Sequence, residues 1–115
     1  MTTPSTTEAE KAAREVVDRL VREGQMRRSE GTRLLRDGLP IILQGFAVAR
    51  LRGKPEDDIT ADLEDERAKA EKRHTSARTT TARRAALLSL TTAQFAIAAW
   101  EGVQRDLARH LAAHS

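Results

Sequence analysis

From Glu8 to Val21 the apolar side chains Ala9, Ala12, Ala13, Val16, Val17, Leu20 and Val21 recur every three or four positions. That is the spacing of one buried face of a helix. Thr7 followed by Glu10 supplies a capping pair at its start, and Gly24 a residue able to turn left-handed at its end. After Gln25 to Arg28, Ser29 is placed to cap a short second helix that carries Leu34 and Leu35 and is ended by Gly38 and Pro40. The two together predict a helical hairpin. IILQGFAVARL, Ile41 to Leu51, is apolar on nearly all sides. It falls far short of the ~20 residues a membrane span needs and is interrupted by Gln44 and Arg50, so it reads as a buried helix.

Beyond Lys54 the pattern changes. Pro55 suits the first position of a helix, and Glu56, Asp57 and Asp58 favour its positive end. No Gly, Pro or Asn then appears until Gly102, and Ile59, Leu63, Ala70, Ala77, Leu88, Phe95 and Ala99 share a face. A single helix over 56–113, ~85 Å at 1.5 Å per residue, is one expectation. Against it stand Thr75, Ser76, Thr79, Thr80 and Thr81, each less favourable in a helix than alanine by up to ~0.7 kcal/mol, which leave a break open near 75–81. From Glu64 to Ala86 no side chain is apolar and larger than alanine. Such a stretch suits either a solvated arm or close helix packing, with Ala77, Thr81 and Ala85 as a seam for a partner. From Leu87 to Val103 bulky residues surround the helix, which has more to bury than the short N-terminal helices promise to cover. Self-association through the C-terminal helices is expected, with Leu88, Phe95, Trp100, Val103 and Leu107 as oligomer or core positions and Trp100 as the anchor.

The expected fold is therefore all-α, and oligomeric. A disordered tail over 1–7 precedes a single helical domain over 8–115, made of short helices in 8–53 and a long helix or helical hairpin in 56–113. Composition agrees. Hydrophobic residues make up 39% of the chain and aromatics only 3%, so the core is aliphatic, which favours helices over sheets. The absence of cysteine excludes a disulfide framework and a thiolate metal site or nucleophile. MTTPSTT has neither the basic start nor the apolar run of a signal peptide, which points to a cytoplasmic protein, of a bacterium or phage if the Arg- and Ala-rich composition is a guide.

Ala13 to Leu35, AREVVDRLVREGQMRRSEGTRLL, resembles the N-terminal helical hairpin of phasin-type regulators of polyhydroxyalkanoate granules. The likeness lies in the Val17 to Val21 face, Gly24 followed by the apolar Met26, and Glu30-Gly31 before Leu34-Leu35. The resemblance implies a helical, self-associating protein with an amphipathic surface.

Charge adds a function class. Residues 56–66 carry seven acids and no base, whereas 67–84 carry seven bases against Glu71, so −7 is followed by +6. On one continuous helix Lys69, Arg73, Ser76, Thr80 and Arg84 would share a face, and cations with hydroxyl donors suit phosphate oxygens. Lys69, Lys72, Arg73, Arg83 and Arg84 are the expected partner-binding face; the plainer alternative is a solvated arm whose charges pair locally, such as Asp65 with Lys69.

Catalytic chemistry has few candidates. His74, His110 and His114 are the only residues that titrate near neutrality unperturbed. Arg105 to His110 fits the Arg-x4-His pattern of HEPN-type ribonucleases, an all-helical and dimeric family. Arg109 to His114 fits too, as an Arg-rich chain allows by chance. Asp106, His110 and His114 recur every four residues, but so near a terminus they read as surface rather than as a zinc site. No phosphate loop, Ser-His-Asp set or carboxylate pair can be assembled. No enzyme, cofactor or metal is expected; the expected function is a helical binding or adaptor protein that self-associates and engages an anionic partner, nucleic acid or an acidic protein surface. A phasin-like surface-binding protein and a HEPN-type ribonuclease are the alternatives.

Overall fold

The structure, a computed structural model, describes residues 7–113, and all its regular elements are helical. Helices α1 (Glu8–Arg22) and α2 (Arg28–Arg33) are followed without interruption by a π-helical turn (Leu34–Gly38) and α3 (Leu39–Leu51). Then come α4 (Glu56–Ser76) and α5 (Thr80–Ala113). Apart from Thr7, the tail expected over 1–7 lies outside the described residues. The molecule measures 53 × 34 × 19 Å. With helices about 10–12 Å thick, 19 Å is two layers.

Thr7 Oγ1 accepts from the Glu10 N–H at 3.1 Å, so α1 starts where its capping pair predicts. It ends in a Schellman motif: Gly24 sits at φ +73°, its N–H donates to Val21 O, and that of Gln25 donates to Leu20 O. The same device, unread in the sequence, ends α3 at Gly53 (φ +84°), with bonds from Gly53 N–H to Arg50 O and Lys54 N–H to Ala49 O.

Three expected boundaries move. Ser29 is not the cap of α2. The helix begins two residues earlier, with Arg27 as its N-cap, and the Glu30 carboxylate reaches back to accept from the Arg27 N–H at 3.2 Å. Nor do Gly38 and Pro40 end it. An unbroken helix would need an N–H at Pro40 and would drive the proline ring into the Arg36 carbonyl. Widening the preceding turn, so that the Leu39 N–H bonds Leu34 O, lets the chain continue helically past Pro40. Pro55, similarly, is the residue before α4 rather than its first position, and its carbonyl accepts from Asp58 and Ile59.

The single helix over 56–113 is not formed; the break falls at 77–79. Ala77 is extended (φ −65°, ψ 131°), and Thr79 starts the next helix, its Oγ1 accepting from the Ala82 N–H at 3.0 Å and its carbonyl from the Arg83 N–H. The hydroxyls that weaken helix propensity here thus supply an N-cap as well. Folded back, α4 and α5 make an antiparallel hairpin, and α5 alone, ~51 Å at 1.5 Å per residue, accounts for the long dimension.

The fold is built around α5, which packs most extensively against α1 and α4. Toward α4 it presents Trp100, whose Nε1 donates to Thr60 Oγ1 at 2.9 Å. Toward α1 it presents Gly102, where a Cβ would lie 2.5 Å from Glu8 O and 2.6 Å from Ala9 N, and nearer still to Ala9 Cα. Helical spacing puts Thr91, Phe95 and Ala99 on the stripe of Gly102. Phe95, Ala99 and Trp100 are fully buried with Val17 and Leu20 of α1 and Ile59 of α4, and Phe46 of α3 packs its ring 5.0 Å from that of Trp100. Hence the many-sided apolar character of 87–103 is met inside the chain by α1 on one side and α4 and α3 on the other. Two other expectations change. Leu88 is 58% exposed and is not core. Ile41 to Leu51 is buried on one side only: Leu39 and Phe46 are covered and Ile42, Leu43 and Ala49 half-buried, whereas Ile41 and Leu51 face solvent.

Candidate functional site

The bare stretch is the free end of the α4–α5 hairpin. Ala70 and Ala86 are buried where the two helices meet, and Arg73, Ser76, Ala77, Ala82, Ala85 and Ser89 line the shallow groove beside them. Small side chains let the helices approach each other at Ala70 and Ala86; of the expected seam, Ala77 is half-buried beside that contact and Ala85 is exposed in the groove. Thr81, expected in the same seam, lies in the groove on the α1 side instead.

The break also divides the expected basic face. Lys69, Lys72 and Arg73 stand on α4, Arg83 and Arg84 on α5, so they flank one another across the hairpin instead of following along one helix. Their neighbours decide which carry unspent charge. Lys69 pairs with Asp65 at 2.9 Å, and Arg67 with Glu64 at 3.0 Å and Glu71 at 2.7 Å. Hydrogen bonds to these carboxylates hold the Arg67 and Lys69 pKa values above their ordinary ones. From Lys72 to Trp100 the sequence has no acid. No described carboxylate pairs with Lys72, Arg73, Arg78, Arg83 or Arg84, although Arg83 Nη2 lies 3.5 Å from Ala77 O. Lys69 therefore leaves the expected set, and Arg78 enters it. The turn at 77–79 carries Arg78 to the tip, which a continuous helix would not. The hydroxyls contribute less than expected: Thr75 Oγ1 and Ser76 Oγ donate to Glu71 O and Lys72 O in their own helix, at 2.9 and 2.7 Å.

Beside the tip the α1-facing stripe of α5 outruns α1. The chain turns away at Gly24, leaving Thr81, Arg84, Leu87, Leu88 and Thr91 to form one wall of an open groove of about 820 Å³; the α1–α2 turn (Gly24 to Arg27) and Glu30 form the other. Its lining is apolar at Met26, Ala85, Leu87 and Leu88 and charged at Arg27, Glu30 and Arg84. The sequence reading missed this groove, because only packing shows where α1 stops covering α5.

Several of the remaining candidates serve the fold. Phe95 and Trp100 are buried, and Val103 and Leu107 half-buried, within the chain. Asp106 Oδ1 accepts from the Glu8 N–H at 3.2 Å, an N-terminal amide of α1. Arg109 holds the Glu8 carboxylate at 2.8 Å and Arg105 approaches it at 3.7 Å, so the arginine of the Arg-x4-His pattern helps to fasten α1 to α5. His74 is half-buried at the end of α4, His110 is exposed near the end of α5, and His114 lies outside the described residues. Among the described residues no three His, Cys, Asp or Glu side chains are grouped to hold a metal ion, and no helix is long and apolar enough to cross a membrane.

Glu8 gives a pH prediction. Its pKa is lowered, first by the hydrogen bond from Arg109 and against the opposing effect of burial. A carboxyl whose folded pKa lies below its unfolded one adds stability that is complete above the ordinary Glu value and is lost as pH falls through the lowered value. Glu8→Gln should therefore be less stable than the parent at neutral pH, with the difference closing in acid. Thermal melts of both proteins across that range test this, and a difference that persists below the lowered value would show that charge is not its source. Comparison of the chain with protein-family models, curated proteins and solved structures finds no match.

Proposed function

We propose that this chain is a binding protein, not an enzyme, that captures an acidic amphipathic segment of another protein at the end of its α4–α5 hairpin. The observation that carries this reading is the juxtaposition of five cations without a described carboxylate partner, Lys72, Arg73, Arg78, Arg83 and Arg84, with the apolar groove lining around Leu88. Unpaired cations attract an anionic partner and set its approach, while an apolar groove supplies the area that holds an amphipathic helix. Nucleic acid fits less well. It too would meet the cations, but single strands are held by stacking on aromatic side chains. The chain's only aromatics, Phe46, Phe95 and Trp100, are in the core.

Replacing Lys72, Arg73, Arg83 and Arg84 together by Gln tests the electrostatic half. Gln is about as good a helix former, so circular dichroism should stay unchanged while affinity for an acidic amphipathic peptide falls and its salt dependence flattens. Leu88→Asn, at an exposed position, tests the apolar half and should weaken the same binding without altering the salt slope. If the Gln variant binds with the parent's salt slope, the tip is a solvated spacer. If Leu88→Asn is silent while duplex or single-stranded nucleic acid binds with steep salt dependence, the partner is a nucleic acid instead.

A further inference from the structure

We infer that the uncovered face of α3 is the contact with a second copy of this chain, two α3 helices crossing antiparallel about Gly45. This goes beyond the hairpin-tip reading and does not depend on it: Phe46 packs on Trp100, ~24 Å along α5 from Arg84. A helix apolar on nearly all sides is ordinarily covered on all sides. Here one side alone is covered, and Ile41, Val48 and Leu51 remain 71%, 37% and 87% exposed.

Gly45 is the second observation. The other glycines meet something within the chain: Gly24 and Gly53 take positive φ, a Cβ at Gly31 or Gly102 would collide with a neighbour, and one at Gly38 would displace the end of the Leu34 side chain. At Gly45, in the middle of α3, φ is negative and a Cβ would meet nothing within 4 Å. A glycine there is less favourable than alanine by about 1 kcal/mol, with no return inside this fold. Its smallness is useful only to something outside the chain that approaches the backbone.

The order of residues along the face selects the occupant. Asp37, Ile41, Gly45, Val48 and Arg52 are exposed and follow one another at helical spacing, an acid at one end and a base at the other. In a two-fold contact, where residue i meets j and j meets i, antiparallel pairing about Gly45 sets Ile41 against Val48 of the second copy and Asp37 against its Arg52. Asp37 already accepts from Arg36 at 2.9 and 3.0 Å but stays 56% exposed, with lone pairs to share. One helix pair lies at the small end of specific interfaces, so the dimer is reversible. It carries two hairpin tips, and a partner with two acidic segments would bind it with increased avidity.

Sedimentation velocity of the full chain, over a range of concentrations, tests the inference. The parent should show a monomer–dimer equilibrium. Gly45→Gln should raise the dimer dissociation constant more than tenfold while leaving the melting temperature unchanged or higher, because the new side chain enters open space and removes a helix glycine. Asp37→Arg and Arg52→Asp should each weaken the dimer, and the two together should restore it, as antiparallel pairing requires. The four-Gln tip variant should dimerise like the parent, which separates this inference from the tip reading. A parent that is monomeric at all concentrations overturns it, as does a dimer indifferent to Gly45→Gln. A monomer that adsorbs to phosphatidylglycerol-containing vesicles, and loses that with Ile41→Asn, also overturns it and gives the face to a lipid surface.

Discussion

Trp100→Ala should lower the free energy of unfolding by about 3–5 kcal/mol, the range for truncating a large buried aromatic. Three elements meet on this side chain. Its ring packs against Phe46 of α3, its Nε1 donates to Thr60 of α4, and it belongs to α5, 1% exposed. Removing it opens a cavity and leaves the Thr60 hydroxyl without that donor. A domain of this size has about 5–15 kcal/mol in all, so much of its stability would go. Trp100→Phe separates the contributions. It keeps an aromatic ring beside Phe46 and loses the hydrogen bond, worth about 1 kcal/mol, together with the volume difference. Urea titrations of the three proteins give the comparison. A loss below about 1 kcal/mol for Trp100→Ala would mean that α3 and α4 are not held through this residue.

Gly102→Ala is the second large effect, opposite in kind because it adds an atom. The new Cβ would lie 2.5 and 2.6 Å from Glu8 O and Ala9 N, backbone atoms that no rotamer change can move. The start of α1 must shift, disturbing the Asp106 bond to the Glu8 amide and the Arg109 pair with its carboxylate. The expected loss is about 1–3 kcal/mol, against the ~1 kcal/mol gain that alanine would bring to an uncrowded helix position. Gly45→Ala is the control, measured at a concentration where the chain is monomeric, since its Cβ meets nothing within its own chain. Equilibrium unfolding should move in opposite directions for the two variants. If both stabilise, α1 does not cross α5 at Gly102.

These expectations draw on different amounts of sequence. The apolar face of α1, its cap at Thr7 and its stop at Gly24 could be read directly, because each rests on residues within a few positions of one another. The same holds for the all-α class. The π turn was not legible. Pro40 announces a break, and only the cost of unburying Phe46 and Leu39 explains why the helix widens and continues. Likewise Gly102 interrupted a helical pattern without saying why, until α1 was found lying across it.

The site was half legible. The acid-free run from Lys72 to Trp100 is a property of composition. Which of its cations are paired, and that Arg78 joins them at the tip, depends on the fold back at 77–79.

By itself the sequence determined the all-helical class, both ends of α1 and the separation of charge, since propensity, capping and local pairing act over three or four residues. Tertiary structure alone decided what covers what. It placed α1 and α4 against α5, so that a helix apolar on many sides is buried inside one chain, and left the faces of Leu88 and of α3 uncovered. Burial is set by residues far apart in sequence, and no local pattern distinguishes an apolar face that will meet its own chain from one that will not.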